Sequence, residues 1–194
     1  MKIAYFDCPS GISGNMILGA LMDAGVDVDY LKKRLQIFGN LRINPSILRS
    51  SGSKDFAVSK LKQKNKRGNR DVQSQVSEHL GTHIEVKIPR GEKQRNLKDI
   101  LKIINKSRLS KSVKSQSSKM FKRLAEAEAK AHRIPVNKVH FHEVGAIDAI
   151  IDVVGTCIGI EKLGIEKIYC SPLPHGKGVI SHAHGILPNP APAT

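Results

Sequence analysis

The longest apolar stretch of this 194-residue chain runs from residue 144 to residue 160, and its only charged residues are Asp148 and Asp152. Such a stretch belongs inside a protein core and is too short to span a bilayer. Gly164, a typical helix terminator, follows it. We therefore predict a buried helix over residues 146–163, on which the two carboxylates, four residues apart, share one face.

The helix face that carries the carboxylates continues into the small or polar residues Gly155, Thr156 and Gly159. Small side chains permit another group to approach the helix closely. Either a ligand or another segment of the backbone is therefore expected to lie against this face.

Five titratable residues are concentrated in the largely apolar segment 139–152: His140, His142, Glu143, Asp148 and Asp152. Buried carboxylates are normally paired or bound to a metal ion. Two imidazoles with carboxylates suit a divalent metal such as Ni, Zn, Fe or Mn, and ligand softness does not choose among these. The structural alternative for single residues is that Asp148 caps the helix and His140 makes a core hydrogen bond.

We interpret this set as a site in which His140, His142, Asp148 and Asp152 bind a metal ion. Glu143 and Asp148 are the candidate catalytic residues. Near the end of the chain, His182 and His184 are two residues apart, and His184 is a further candidate metal ligand. No Gly-x-Ser-x-Gly or Cys-x-x-Cys motif is present, which argues against a serine hydrolase or a zinc ribbon.

A second candidate site follows the first predicted strand, residues 2–6. It is a loop rich in glycine and hydroxyl groups that leads into an apolar helix, which is the construction of an anion-binding turn. The structural alternative is a tight β–α turn with Ser13 as the helix N-cap. The candidate ligand-binding residues are Asp7, Ser10, Gly11, Ser13, Gly14 and Asn15.

The remaining pattern predicts an α/β fold, with α+β as the alternative, in which helices pack on a mixed sheet. Helices are expected over 16–24, from a cap at Asp27 or Asp29 to about 38, over 97–105 after Asn96, and from Ser110 to about 132. Alternating residues predict strands at 56–62 and 83–88, and a short strand is expected at 168–171.

The net charge of +15 is concentrated in the middle of the chain, since residues 49–134 contain 23 Lys and Arg against eight Asp and Glu. Polyanion binding would belong there, but Phe56 is the one aromatic residue across the most basic stretch, so nucleic acid is not the expected partner. Three cysteines without a paired motif and the lack of a secretory segment favour the cytoplasm, and no membrane association is expected.

Four segments in order resemble the LarC family of nickel-insertion proteins: FDCPSGISGNMILGAL, RLAEAEAKAH, VHFHEVGAIDAIIDVVG and SPLPHGKG with AHGILPNPAPAT. The resemblance implies nickel insertion into pyridinium-3,5-bisthiocarboxylic acid mononucleotide, with CTP and Mg or Mn as cofactors and a lactate racemase-type apoenzyme as the recipient of the product. It also implies that residues 1–194 form a single N-terminal domain. CTP would then bind the C-terminal half of the family, which is absent from this chain.

The chain departs from the family at three places. Asn15 stands where the family usually has Asp, and a His-rich run before residue 97 is missing. The sequence also ends where a full-length member continues. Three functions follow as expectations: a nickel chelatase, a subunit inactive without a C-terminal partner, and a basic polyanion-binding module.

Overall fold

The computed structural model describes residues 1–38, 42–49, 80–87, 95–139, 141, 147–174, 176–182 and 185–190. Within these ranges, short 3-10 turns at Gln36–Phe38 and Val136–Lys138 accompany helices and strands. The helices are α1 Gly14–Asp23, α2 Val28–Leu35, α3 Leu97–Lys106, α4 Lys111–His132 and α5 Ile147–Leu163. The strands are β1 Ile3–Phe6, β2 Arg42–Arg49, β3 Leu80–Lys87, β4 Lys167–Cys170, β5 Val179–His182 and β6 Gly185–Pro188.

Helix α5 is the centre of the core, as its apolar sequence predicts. Ten of its residues are buried, and seven of them follow one another from Val154 to Ile160, so buried residues lie on every side of this part of the helix. A helix that is apolar all round is covered on all sides. Helices α1, α2 and α4 contact it.

The helix starts agree with the predicted caps. The Asp27 side chain accepts from the Tyr30 N–H at 2.8 Å, and Asn96 and Ser110 cap α3 and α4 in the same way. Each cap supplies an acceptor for an N–H group that has no partner within the helix. The four predicted helices outside α5 are therefore confirmed, with boundaries that differ by up to three residues, because α2 ends at Leu35 and the chain continues to Phe38 as a 3-10 turn.

The strands pair in both directions, and the predicted α/β class is confirmed. β1 and β4 are parallel, with Phe6 opposite Cys170, whereas β2–β3 and β5–β6 are antiparallel. In the described residues these pairs form three two-stranded sheets. The predicted strand at 83–88 corresponds to β3, but β2, β5 and β6 were not predicted, and the predicted strand at 56–62 lies outside the described residues.

Glycines on α1 and α5 bring this helix pair and β3 close together. A Cβ on Gly155 would lie 2.9 Å from Leu18 Cδ2, and one on Gly159 would lie 2.8 Å from Leu21 Cδ1. Gly19 of α1 lies directly against the carbonyl group of Thr82 in β3. Gly155 and Gly159 of α5 therefore make room for leucine side chains of α1. At these two positions another segment of the chain, and not a ligand, lies against the face.

The β1–β4 sheet lies at the surface, where Tyr5 and Tyr169 are 63% and 51% exposed. Parallel strands are usually covered on both faces, so this pair is unusual for its class. Among the described helices, none combines the length and the apolar character that crossing a bilayer requires.

Candidate functional site

The first candidate loop leaves the sheet at the edge where β1 and β4 both end. Because these strands are parallel, the residues that follow them meet, and ligands of open α/β sheets bind at this carboxyl edge. The Ser171 N–H donates to the Phe6 carbonyl at 2.9 Å, and the Cys8 N–H donates to Ser171 Oγ at 2.8 Å. The loop after β1 is thus tied to the segment after β4.

The loop itself begins with a tight turn. Asp7 and Ser10 are exposed, and the Gly11 N–H donates to the Cys8 carbonyl at 3.2 Å. Gly11 has a φ of +96°, a conformation that side-chain-bearing residues rarely adopt. The sequence-predicted turn is present, and its glycine is required by the backbone.

The loop enters α1 without the predicted side-chain cap. Ser13 occupies the N-cap position, but its hydroxyl donates to Asn15 Oδ1 at 2.5 Å and does not accept a backbone N–H. Asn15 Oδ1 also accepts the Met16 N–H at 3.0 Å. The structural alternative, a tight turn with Ser13 as the N-cap residue, is therefore confirmed in position, but the Ser13 side chain caps no backbone N–H because its hydroxyl bonds to Asn15.

The start of α1 lies against the acidic face of α5. A Cβ on Gly14 would overlap the carboxyl group of Asp152. Glycine is therefore needed at this position because it leaves room for the carboxylate. The structure brings together one residue of the first loop and one residue of the His/acid segment, which the sequence treated as separate candidates.

The two α5 carboxylates differ in their surroundings. Asp152 is partly buried, and burial, followed by the nearby charge of Asp148, raises its pKa to about 6. Asp148 is exposed in the first turn of α5, and its Oδ1 accepts the Ala149 N–H at 2.8 Å. The predicted shared face is confirmed by this electrostatic coupling, and Asp152 is the member that can exchange a proton near neutral pH.

A pair of cysteines at the same edge was missed by the sequence interpretation. Cys8 is 3% exposed, and its Sγ lies 3.9 Å from Sγ of the exposed Cys170. Burial, followed by the hydrogen bond and charge of Cys170, raises the pKa of the Cys8 thiol. Both strands were predicted, and pairing them in parallel would have placed these residues together.

The other predicted site residues lie outside the described residues: His140, His142, Glu143 and His184. Within the described part of the chain, no group of three or more His, Cys, Asp or Glu side chains is arranged to hold a metal ion. The proposed metal-binding set of four residues therefore stays a prediction. Of its members, Asp148 and Asp152 lie in the described residues.

Comparison with known proteins identifies the family. The family model described as "Nickel insertion protein" matches residues 4–194. The chain belongs to this nickel insertion family. The resemblance drawn from the four sequence segments is confirmed. The family match also covers the middle of the chain, where the resemblance is weak.

Two relatives illustrate the similarity. A Desulfitobacterium hafniense (strain DCB-2) protein named pyridinium-3,5-bisthiocarboxylic acid mononucleotide nickel insertion protein is 45% identical over all of this chain and 42% of its own length. A Dictyoglomus thermophilum protein, provisionally named a nickel insertion protein, is 45% identical over all of this chain and 44% of its own length. The chain thus spans less than half the length of these relatives. No solved structure matches it significantly.

Proposed function

We propose that this chain supplies part of the site at which nickel is inserted into pyridinium-3,5-bisthiocarboxylic acid mononucleotide, during synthesis of a nickel-pincer cofactor. Family membership and the name of the Desulfitobacterium relative support the reaction class. The observation that carries the proposal is the contact between Gly14 and the Asp152 carboxyl group. It joins a loop suited to a phosphate with a carboxylate suited to a metal ion or a proton.

The first loop would bind the phosphate of the mononucleotide. α1 begins at Gly14, and the first N–H groups of a helix have no partner within it and favour an anion. Asp7, Ser10, Gly11, Ser13 and Asn15 would complete this binding surface. Asn15 brings no negative charge to it, so the loop would repel a phosphate less than one with the Asp usual in the family.

The acidic segment would handle the metal and the proton. His140, His142, Asp148 and Asp152 would hold nickel transiently, with His184 as a further ligand. Nickel–carbon bond formation releases the proton from the pyridinium carbon, and a general base such as a carboxylate would accept it. Glu143 and Asp148 are the candidates from the sequence, and the raised pKa of Asp152 adds this residue as a base.

The chain would act as one N-terminal domain, residues 1–194, of a larger or two-piece cytoplasmic protein. The C-terminal half would bind CTP with Mg or Mn, and the product would pass to a lactate racemase-type apoenzyme. The greater length of the relatives supports a second half. The alternative is that this chain is inactive alone, which an insertion assay with and without that half would decide.

The metal assignment is tested by calorimetry. Nickel is titrated into the chain and into a variant in which His140, His142, Asp148 and Asp152 are all replaced by Ala. The expected result is the loss of one nickel-binding event, because the variant lacks the imidazole and carboxylate groups that would bind the ion at this site.

A matched control removes carboxylates elsewhere. Asp29→Ala with Glu126→Ala deletes two exposed acids on α2 and α4, each of which forms an ion pair within its own helix. This control should bind nickel as the parent does. Unchanged nickel binding by the four-residue variant would show that the metal assignment is wrong.

A further inference from the structure

The thiols of Cys8 and Cys170 form a pair whose spacing fits a shared metal ion. Their sulfur atoms are 3.9 Å apart, and both cysteines are free. A disulfide would require a separation of about 2.0 Å. Two thiolates that bind one tetrahedral ion with bonds of about 2.3 Å are separated by roughly 3.8 Å. The observed distance is that of a hydrogen bond between two thiols, and it would let both sulfur atoms bind one ion with almost no movement.

We propose that Cys8 and Cys170 form a two-thiolate site for a thiophilic divalent transition-metal ion, with its remaining coordination positions open to water or substrate. Thiolate ligands select such ions over magnesium and calcium. A site with two protein ligands also leaves room for exchange, unlike a closed four-cysteine site.

The surroundings of the pair support this use. Cys8 is buried, and its backbone is fixed by the 2.8 Å hydrogen bond to Ser171 Oγ, whereas Cys170 is exposed at the end of β4. One ligand is therefore held in place while the other faces solvent, from which an ion can arrive. The charge of Asp7, next to Cys8, helps to raise the pKa of the free thiol, and the same negative charge attracts a cation to the pair.

The third cysteine is buried like Cys8, but its thiol contacts a thioether and not a second thiol. Cys157 is buried in the core, and the nearest sulfur to its thiol is Sδ of Met120 at 3.9 Å. A thioether carries no proton to release and is a weaker ligand than a thiolate. Cys157 is therefore the matched control for the pair.

Binding has a defined proton balance. Each thiol loses its proton as its sulfur bonds to the ion, so one divalent ion displaces two protons and no oxidant is consumed. Binding by the pair does not depend on the proposed function. The use of nickel as the natural ion does rest on it, since a chelatase must acquire nickel and then release it.

The test uses the reduced 194-residue chain without oxygen, titrated separately with Ni²⁺ and Co²⁺. Sulfur-to-metal charge-transfer absorption and proton release are recorded together. The charge-transfer absorption is expected to saturate at one ion per chain, with two protons released for each ion bound by the two thiolates. Cys8→Ser and Cys170→Ser should each abolish the absorption and weaken binding at least tenfold, whereas Cys157→Ala should behave as the parent.

A second measurement does not depend on variants that fold. Bound metal should protect Cys170 of the parent chain from alkylation, with protection followed by mass spectrometry of the modified peptides. Absence of protection, or absorption that survives in both serine variants, would overturn the two-thiolate site. Oxidation of the pair to a disulfide together with no metal uptake by the reduced chain would overturn it as well.

The outcomes separate this site from the proposed function. The variant that lacks His140, His142, Asp148 and Asp152 should keep the charge-transfer absorption, because it retains both thiols. The double variant Cys8→Ser/Cys170→Ser should keep the calorimetric event assigned to the imidazole and carboxylate ligands. A parent chain without charge-transfer absorption would overturn the two-thiolate site alone, whereas a calorimetric event that survives in the four-residue variant would overturn the proposed nickel site alone.

Discussion

The ionised Asp152 side chain lowers the stability of the folded protein. Its carboxyl group lies against Gly14 and near Asp148, and partial burial disfavours its charged form. The folded state therefore holds the Asp152 proton more tightly than the unfolded chain does. Above its folded pKa of about 6, the ionised carboxylate destabilises the protein.

Asp152→Asn should therefore stabilise the metal-free chain. In the presence of a chelator at pH 7.5, the free energy of unfolding should rise by about 1 kcal/mol, since solvent screens part of the effect. The gain should shrink as the pH falls from 6 towards 4 and vanish near pH 3, where Asp152 is protonated in both states. Urea unfolding at several pH values measures this.

The control for Asp152→Asn is Asp29→Asn, which changes a carboxylate that is 83% exposed on α2 and pairs with Lys32. It should show no stabilisation at pH 7.5. A gain for Asp152→Asn that stays constant between pH 4 and pH 7.5 would contradict the link to this proton.

At the level of elements, the packing of α1 on α5 sets the position of the first loop. Gly155 accepts Leu18, which is 1% exposed, and a Cβ there would also lie 3.5 Å from Leu35 Cδ1. Gly155→Val should lower the free energy of unfolding by about 1–3 kcal/mol, because the core has no room for the added methyl groups. Chemical denaturation measures the loss.

Gly81 of β3 provides the comparison for Gly155→Val, since a Cβ at Gly81 meets no atom within 4 Å. Gly81→Val should be neutral or stabilising, because a β-branched residue suits a strand. Equal destabilisation by both substitutions would mean that the contact between Gly155 and Leu18 is not the cause.

The helices were more predictable than the strands because their signals are local. Asp27, Asn96 and Ser110 each bond to an N–H three residues away, so a short window of sequence contains the whole interaction. The partner of β1 is β4, more than 160 residues later, and no local pattern reports that pairing. β2 also contains Pro45, which obscures a strand pattern.

In the candidate site, too, the features that are local in sequence were predictable and the contacts between distant segments were not. The loop residues and the Asp148/Asp152 face follow from spacing within one segment. The contact of Gly14 with Asp152 and the Cys8–Cys170 pair each join distant segments. Periodicity and spacing therefore identified the candidate segments, but not the contacts between their residues.

On the scale of the whole molecule, the charge of +15 raises the question of polyanion binding. Lys111, Lys114, Lys119 and Lys122 line a groove between α3 and α4. We expect a solvated surface, so a short single-stranded RNA should show weak filter retention at low salt and none at about 150 mM. A salt titration measures this.

The controls for RNA retention compare two pairs of lysines. Lys119→Gln with Lys122→Gln should weaken retention no more than Lys98→Gln with Lys102→Gln, because a diffuse attraction depends on total charge. Retention that survives about 150 mM salt, or that depends on the groove pair alone, would support a polyanion site instead.

The hydrogen bond between Cys8 and Ser171 spans 163 positions of the chain. Closing a loop of that length costs about 4.5 kcal/mol of chain entropy, apart from a constant. During synthesis at 5–20 residues per second, roughly 10–30 s separate the appearance of the two residues. The first loop therefore leaves the ribosome long before its partner strand exists, and the carboxyl edge can assemble only after translation has passed Ser171.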